Sequence, residues 1–153
     1  MKTLILLGSL RKDSFSRKLA NAVETRSPSG TNFTVQDCGD VPLYNQDLDG
    51  DEKPEAVQTL LDQITEADAM IVITPEFNYG IPGTLKNALD WASRPAFRSP
   101  LKGKPTLTIG LSMAPSGGSR AHQALGSVLG GTLTPVYLSP SFLVPSVHEK
   151  FDA

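Results

Sequence analysis

"ADAMIVITPEFNYGIPGTLKNALDW", residues 67–91, contains the transition on which the fold turns. Its first part, 67–74, is a continuous apolar run, which is how a strand reads when helices cover both faces of a parallel sheet. Its last part, from about Gly83 to Ser93, reads as a helix. Between them, Pro75-Glu76-Phe77-Asn78-Tyr79-Gly80-Ile81-Pro82 combines two prolines, a glycine, an amide, a carboxylate and two aromatics. A short polar turn would need none of that chemistry, so the loop is expected to hold a ligand.

Working outward, the same run pattern recurs in "TLILLG" (3–8) and "PTLTIGLS" (105–112), with weaker strand candidates in "NFTVQDC" (32–38) and "TLTPVYL" (132–138). Helical spacing separates them. One helix runs from about Ser16 to Thr25, with Leu19, Ala20 and Val23 on one face. A second, about 54–66, carries Ala56, Val57, Leu60, Leu61 and Ile64, and a fourth runs from about Gly118 to Leu129. This alternation predicts right-handed crossovers and a doubly wound α/β sheet. Ligands then sit beyond the carboxyl ends of the strands, where the strand order reverses. For the order 2-1-3-4-5, that crevice lies between the loops after the first and third strands.

The remaining numbers bound the class. A chain of 153 residues is read as one domain, 1–153, large enough to bury a core without metals or disulfides. A net charge of -2 gives no electrostatic case for nucleic acid or an anionic membrane. Cys38 is the only cysteine, so no intrachain disulfide forms and nothing points to secretion. "LILLG" is too short for a signal peptide's apolar region or a membrane span, and the expected compartment is the cytoplasm.

The loop after the first strand, "GSLRKDSFSRKLANAV" (8–23), runs straight into a helix. Ser9, Ser14 and Ser16 supply hydroxyls, Arg11 and Lys12 cations, and the helix start supplies backbone N–H groups, which together are the parts of a phosphate site. Taken alone, the loop is equally consistent with Asp13 or Ser14 merely capping the helix beside solvated basic residues. A P-loop would need G-x-x-x-x-G-K-[ST] and a dinucleotide fingerprint G-x-G-x-x-G; neither is present. A hydroxyl-rich loop with only Gly8 suits a terminal phosphate monoester better than an embedded pyrophosphate.

Together, "GSLRKDSFSRKLA" and "TPEFNYGIPGTLKNALDWASRP" resemble the NADPH-dependent FMN reductase family, flavodoxin-like enzymes that include flavin, quinone, azo-dye and chromate reductases. "DVPLYNQDLD" (40–49) and "GLSMAPSGGSRAHQAL" (110–125) support the likeness, which covers nearly the whole chain. The resemblance implies a flavodoxin-like five-stranded sheet, FMN as cofactor, and NADPH or NADH as hydride donor. It places Ser9, Arg11, Ser14, Phe15 and Ser16 at the FMN phosphate. Glu76, Phe77, Asn78 and Tyr79 would line the isoalloxazine, on a loop that Pro75 and Pro82 stiffen. Ser112, Gly117 and Gly118 would lie along the ring's other edge. Ser16 departs from the pattern, since the family usually carries Asn there. Phe77 or Tyr79 could instead be a core or interface aromatic.

Flavin carries the hydride chemistry itself, so no catalytic nucleophile or base is expected from the protein. The implied activity is hydride transfer from NAD(P)H through FMN to a flavin, quinone, azo compound or similar small-molecule acceptor. The alternatives are a non-enzymatic electron carrier like flavodoxin, for which a charge of -2 is weak support, or a flavin-binding protein without turnover. The family also implies a homodimer or homotetramer, with Trp91 and Phe97 of "DWASRPAFRSP" (90–100) as candidates for the contact, although Trp91 and Leu85 read more simply as packing residues. No metal site is read. His122 and His148 are expected to be surface or helix residues, and "NQDLDGDEKPE" (45–55) a solvated acidic loop. The chain stops short of the family's final helix. The sheet face left over is expected to be covered by residues after 138, by a neighbouring subunit, or by both.

Overall fold

The computed structural model describes residues 1–151, the side chains of Leu138 and Ser139 excepted. Five strands, β1 (Lys2–Leu7), β2 (Asn32–Asp37), β3 (Ala69–Pro75), β4 (Thr106–Leu111) and β5 (Val136–Val144), form one parallel sheet in the order β2-β1-β3-β4-β5. Four helices, α1 (Phe15–Arg26), α2 (Glu55–Glu66), α3 (Gly83–Ala92) and α4 (Ser119–Gly131), make the crossovers. This is the expected flavodoxin-like order, and no α-helix follows β5 among the described residues.

The unbroken apolar runs divide between two layers, because successive strand side chains point to opposite faces. Leu4, Leu6, Met70 and Val72 pack beneath α2, α3 and α4, against Val57, Leu60, Ile64, Leu85, Leu89 and Leu125. Ile5, Leu7, Ile73, Ile109 and Leu111 point the other way, towards Ala20, Leu19 and Val23 of α1. Each fully buried side chain of this size stabilises the fold by about 1.5–3 kcal/mol. Few side chains in β1 could therefore be made polar without loss.

The packing reading of Trp91 and Leu85 holds and the contact reading of Trp91 does not, while the acidic loop and His122 differ in detail from what was expected. Trp91 is fully buried, its Nε1–H donating to Pro42 O at 2.8 Å and its indole meeting Tyr44 edge-on at 4.9 Å, so it packs inside the subunit and is not an intersubunit contact. Phe97, at 71% exposure, stays on the surface. The acidic loop is anchored as well as solvated: Asp49 pairs with Lys53 at 2.9 Å and Arg94 at 3.2 Å, its side chain only 9% exposed. His122 does lie on a helix, α4, but it is buried, with Nε2 at 3.0 Å from Thr108 Oγ1. His148 is exposed, beside Glu149.

The fifth strand is also displaced from "TLTPVYL". Thr132 and Leu133 instead turn the chain out of α4, with N–H groups bonded to Leu129 O and Gly130 O, and β5 starts at Val136 and runs to Val144. Its pairing with β4 slips between Leu107 and Ile109, whose partners are Tyr137 and Phe142. Pro140, which has no N–H for the ladder, lies within that slip.

The face under α1 is partly covered by the chain's own residues after 138, one of the ways expected. Val147, in a 3₁₀ turn at Val147–Glu149, is 1% exposed, and Phe151 packs on Phe15 with ring centroids 6.3 Å apart. At the amino ends of the strands the same face keeps an open trough of about 570 Å³ lined by Met1, Phe33, Ile71, Leu107 and Tyr137 among others. No helix is long and apolar enough to cross a membrane among the described residues.

Candidate functional site

At the carboxyl end of the sheet, the loops after β1, β3 and β4 enclose a cavity of about 270 Å³. The first loop and the start of α1 bring Ser9, Arg11, Ser14, Phe15 and Ser16 to it; the second brings Pro75, Glu76 and Phe77, and the third Ser112. The trough beneath the sheet is larger but chiefly apolar, and it lies away from the strand ends where ligands of such folds bind. Convergent polar groups single out the smaller cavity.

Its floor at α1 is shaped for an anion. Ser14 is the N-cap, its Oγ accepting from the Arg17 amide at 3.2 Å, and the first turn holds no acidic residue. The amides of Phe15 and Ser16, at the first two helical positions, have no intrahelical acceptor. Ser16 Oγ is buried and has no hydrogen-bond partner among the described residues, an arrangement that costs about 1–3 kcal/mol unless an acceptor meets it. Arg11 reaches the cavity from an exposed position, while Arg17 is held by Asp37 at 3.0 Å. A terminal phosphate would supply acceptor oxygens and negative charge suited to this end of the cavity.

The second wall is a tight two-residue hairpin. Phe77 and Gly80 exchange backbone N–H···O bonds of 3.0 Å each way, with Asn78 at φ 47° and Tyr79 at φ 66° between them. Two successive positive φ values describe a type I′ turn, which Asn accepts readily and Tyr only at a cost. Asn78 and Tyr79 are exposed at the rim and do not line the cavity. The Tyr79 ring carries the Arg120 guanidinium 4.6 Å from its centroid. Glu76 lines the cavity but turns its carboxylate to the start of α4, accepting from the amides of Arg120 at 3.0 Å and Ala121 at 3.2 Å.

On the third loop Ser112 Oγ accepts from the Ala114 amide at 3.1 Å and so shapes the turn after β4. Gly117 and Gly118 are buried behind this wall, not on the cavity surface. Leu111, Met113 and Val147 complete the lining. The first two flank Ser112 within a stretch the sequence had singled out, but nothing in the sequence marked Val147, which arrives from the far end of the chain. Burial, with Asp37 beside it, pushes the Cys38 thiol up to about 12, which favours its protonated form. Among the described residues no cluster of His, Cys, Asp and Glu is placed to hold a metal ion.

The family profile described as NADPH-dependent FMN reductase matches residues 1–149. A 2-hydroxy-1,4-benzoquinone reductase from Burkholderia sp is 39% identical over 153 residues, covering 100% of this chain and 83% of that protein. A quinone reductase from Escherichia coli (strain K12) is 37% identical over 154 residues, covering 99% of this chain and 81% of its own length. Among solved structures, FerB, a flavoenzyme NAD(P)H:(acceptor) oxidoreductase from Paracoccus denitrificans, superposes with a TM-score of 0.86 at 38% identity, covering 92% of this chain and 77% of that one. With a profile match across almost its entire length, this chain belongs to the NADPH-dependent FMN reductase family.

Proposed function

We propose that this chain is an FMN-dependent oxidoreductase that takes hydride from NADPH or NADH and delivers it to a quinone-type acceptor. The observation that carries this reading is the anion-ready floor of the cavity, above all the buried, unpartnered hydroxyl of Ser16 at the start of α1. Ser9, Arg11, Ser14 and Ser16 would hold the terminal phosphate of FMN, with Phe15 beside them. Ser16, standing where the family usually carries Asn, keeps a donor in place. Pro75, Glu76, Phe77 and Ser112 would frame the ring, with Asn78 and Tyr79 at its rim and Gly117 and Gly118 behind it. FMN held there would supply the hydride chemistry between a reduced nicotinamide and the acceptor. The protein's part is to bind, orient and limit access to water.

Relatives named for quinone reduction support the choice of acceptor class, including one named for 2-hydroxy-1,4-benzoquinone. The protein acts as one FMN-binding domain, in the cytoplasm, as a homodimer or homotetramer. The purified protein is expected to show a flavin absorbance spectrum, to bleach on addition of NADPH, and to turn over 2-hydroxy-1,4-benzoquinone without any added reductase. Reduction that requires a separate reductase would replace the enzyme with the electron-carrier alternative. Sedimentation at micromolar concentration should show a species heavier than the 16.4 kDa monomer; a monomer alone would overturn the oligomer.

A further inference from the structure

Two helix N-termini lie at the carboxyl end of the sheet, that of α1 on the cavity and that of α4 behind its wall, and they are finished differently. At α1 a serine caps the helix and the first amides remain open to the cavity. At α4 the N-cap is Gly118, at φ 78°, with no side chain to cap anything and no acidic residue in the first turn. The reason is steric. A Cβ on Gly118 would lie 2.8 Å from Leu111 O, and one on Gly110 would lie 3.0 Å from Gly118 O. The start of α4 therefore presses against the end of β4 so closely that Ser, Thr, Asp or Asn, the usual capping residues, do not fit at the N-cap.

The missing cap comes from another loop. Glu76 Oε2 accepts from the second and third helical amides, Arg120 at 3.0 Å and Ala121 at 3.2 Å. Ser119 N–H is taken by Ser116 O, and His122 N–H by Gly118 O. Every amide of the first turn is thus used, and this helix start is closed to a phosphate. The Glu76 side chain is 10% exposed, and its other oxygen lies 3.6 Å from the Arg120 guanidinium, which in turn covers Tyr79.

We infer that Glu76 is a positioning residue for the flavin pocket. Its carboxylate caps α4 from the loop after β3 and so ties two of the pocket's three loops into one rigid wall. Phe77, next in the chain, lines the cavity on one side of this tie, and Ser112 and Met113 line it on the other. The strained Asn78-Tyr79 turn follows at once, so the same tie holds the hairpin in its left-handed conformation. The inference rests on the cavity being the flavin site, but the tie itself can be read without flavin.

The test uses the full-length protein with Glu76→Ala and Glu76→Gln, whose side-chain carbonyl still accepts both amides. Amide hydrogen exchange at Arg120 and Ala121 is measured in the flavin-free protein, and FMN and riboflavin are titrated separately. Glu76→Ala should speed exchange at both amides and weaken FMN and riboflavin alike, each by about tenfold. Glu76→Gln should stay within about threefold of the parent on all measures, a rescue that mere loss of stability would not produce. The Ser9→Ala, Arg11→Ala double variant should weaken FMN far more than riboflavin and leave exchange at α4 unchanged, separating the phosphate end from the tied wall. Unchanged exchange or unchanged flavin affinity in Glu76→Ala overturns the inference, and so does a Glu76→Gln variant as impaired as Glu76→Ala. Should Glu76→Ala fail to fold, Glu76→Asp, too short for both amides, takes its place with the same expectations. A parent that binds neither flavin overturns the FMN reading and the pocket role with it, while the exchange arm still decides whether Glu76 holds α4.

Discussion

The Asp49 carboxylate, between Lys53 and Arg94 with Tyr44 Oη at 3.4 Å, is pulled in two directions. Burial pushes its pKa up, but hydrogen bonds from Lys53 and Arg94, aided by their charges, outweigh burial and leave it below the ordinary carboxylate value. A depressed folded pKa contributes stability that is fully present above the unfolded value, about 3.9, and is lost as pH falls through the folded one. Asp49→Asn should therefore lower the thermal midpoint by a constant amount at neutral pH, and the gap should close only below about pH 4. Midpoints measured from pH 7 to pH 3 check this; parallel curves down to pH 3 would refute it. The sequence showed Asp49 only as one acid among several in a loop, because Arg94 is distant in the chain and folding alone brings it near. Ser16 differs. Its place after the first strand was enough to mark it, although its burial without a partner was not.

Gly118 shows at the level of elements how a helix and a strand set each other's spacing. Gly118→Ala puts a methyl group 2.8 Å from Leu111 O on a residue at φ 78°, costing about 2 kcal/mol, or roughly 4–8 °C in midpoint for a chain of this size. Gly83→Ala is the control, since a Cβ at that helix start meets nothing within 4 Å, and its midpoint should hold or rise. A fall of equal size in both variants would mean that close packing at α4 is not the cause. β1, β3 and β4 and the four helices were legible because strands buried on both faces leave unbroken apolar runs, as in 67–74, and the helices left apolar stripes. β5 was not. It is an edge strand with exposed Tyr137 and Phe142, and Pro140 and a slipped register break it up, so its sequence carries neither an alternation nor an unbroken run. The tie from Glu76 to α4 was equally hidden: the sequence showed a carboxylate in an unusual loop, but not which helix start lacked its own cap.

For the molecule as a whole, the question is how the sheet face under α1 stays dry. Its two ends are treated differently: the amino ends of the strands border the open trough, and the carboxyl ends are closed by the chain's last described residues. Val147 N–H donates to Ser112 O at 3.0 Å, and Ser146 N–H to Ala114 O at 3.3 Å, so the closing segment is pinned to the loop after β4. Val147 itself is 1% exposed, belongs to the core under α1, and also lines the cavity at the carboxyl ends of the strands. One side chain thus serves stability and the site together. Val147→Ala removes part of a burial worth about 1.5–3 kcal/mol, and Val147→Asp adds the cost of an unpaired carboxylate in an apolar layer. Both variants should lower the thermal midpoint, the aspartate much more, and both should weaken FMN, with brighter fluorescence from an apolar-surface dye in Val147→Asp. If flavin affinity and midpoint both survive Val147→Asp, the closing segment is not the cover that keeps this end of the sheet from water.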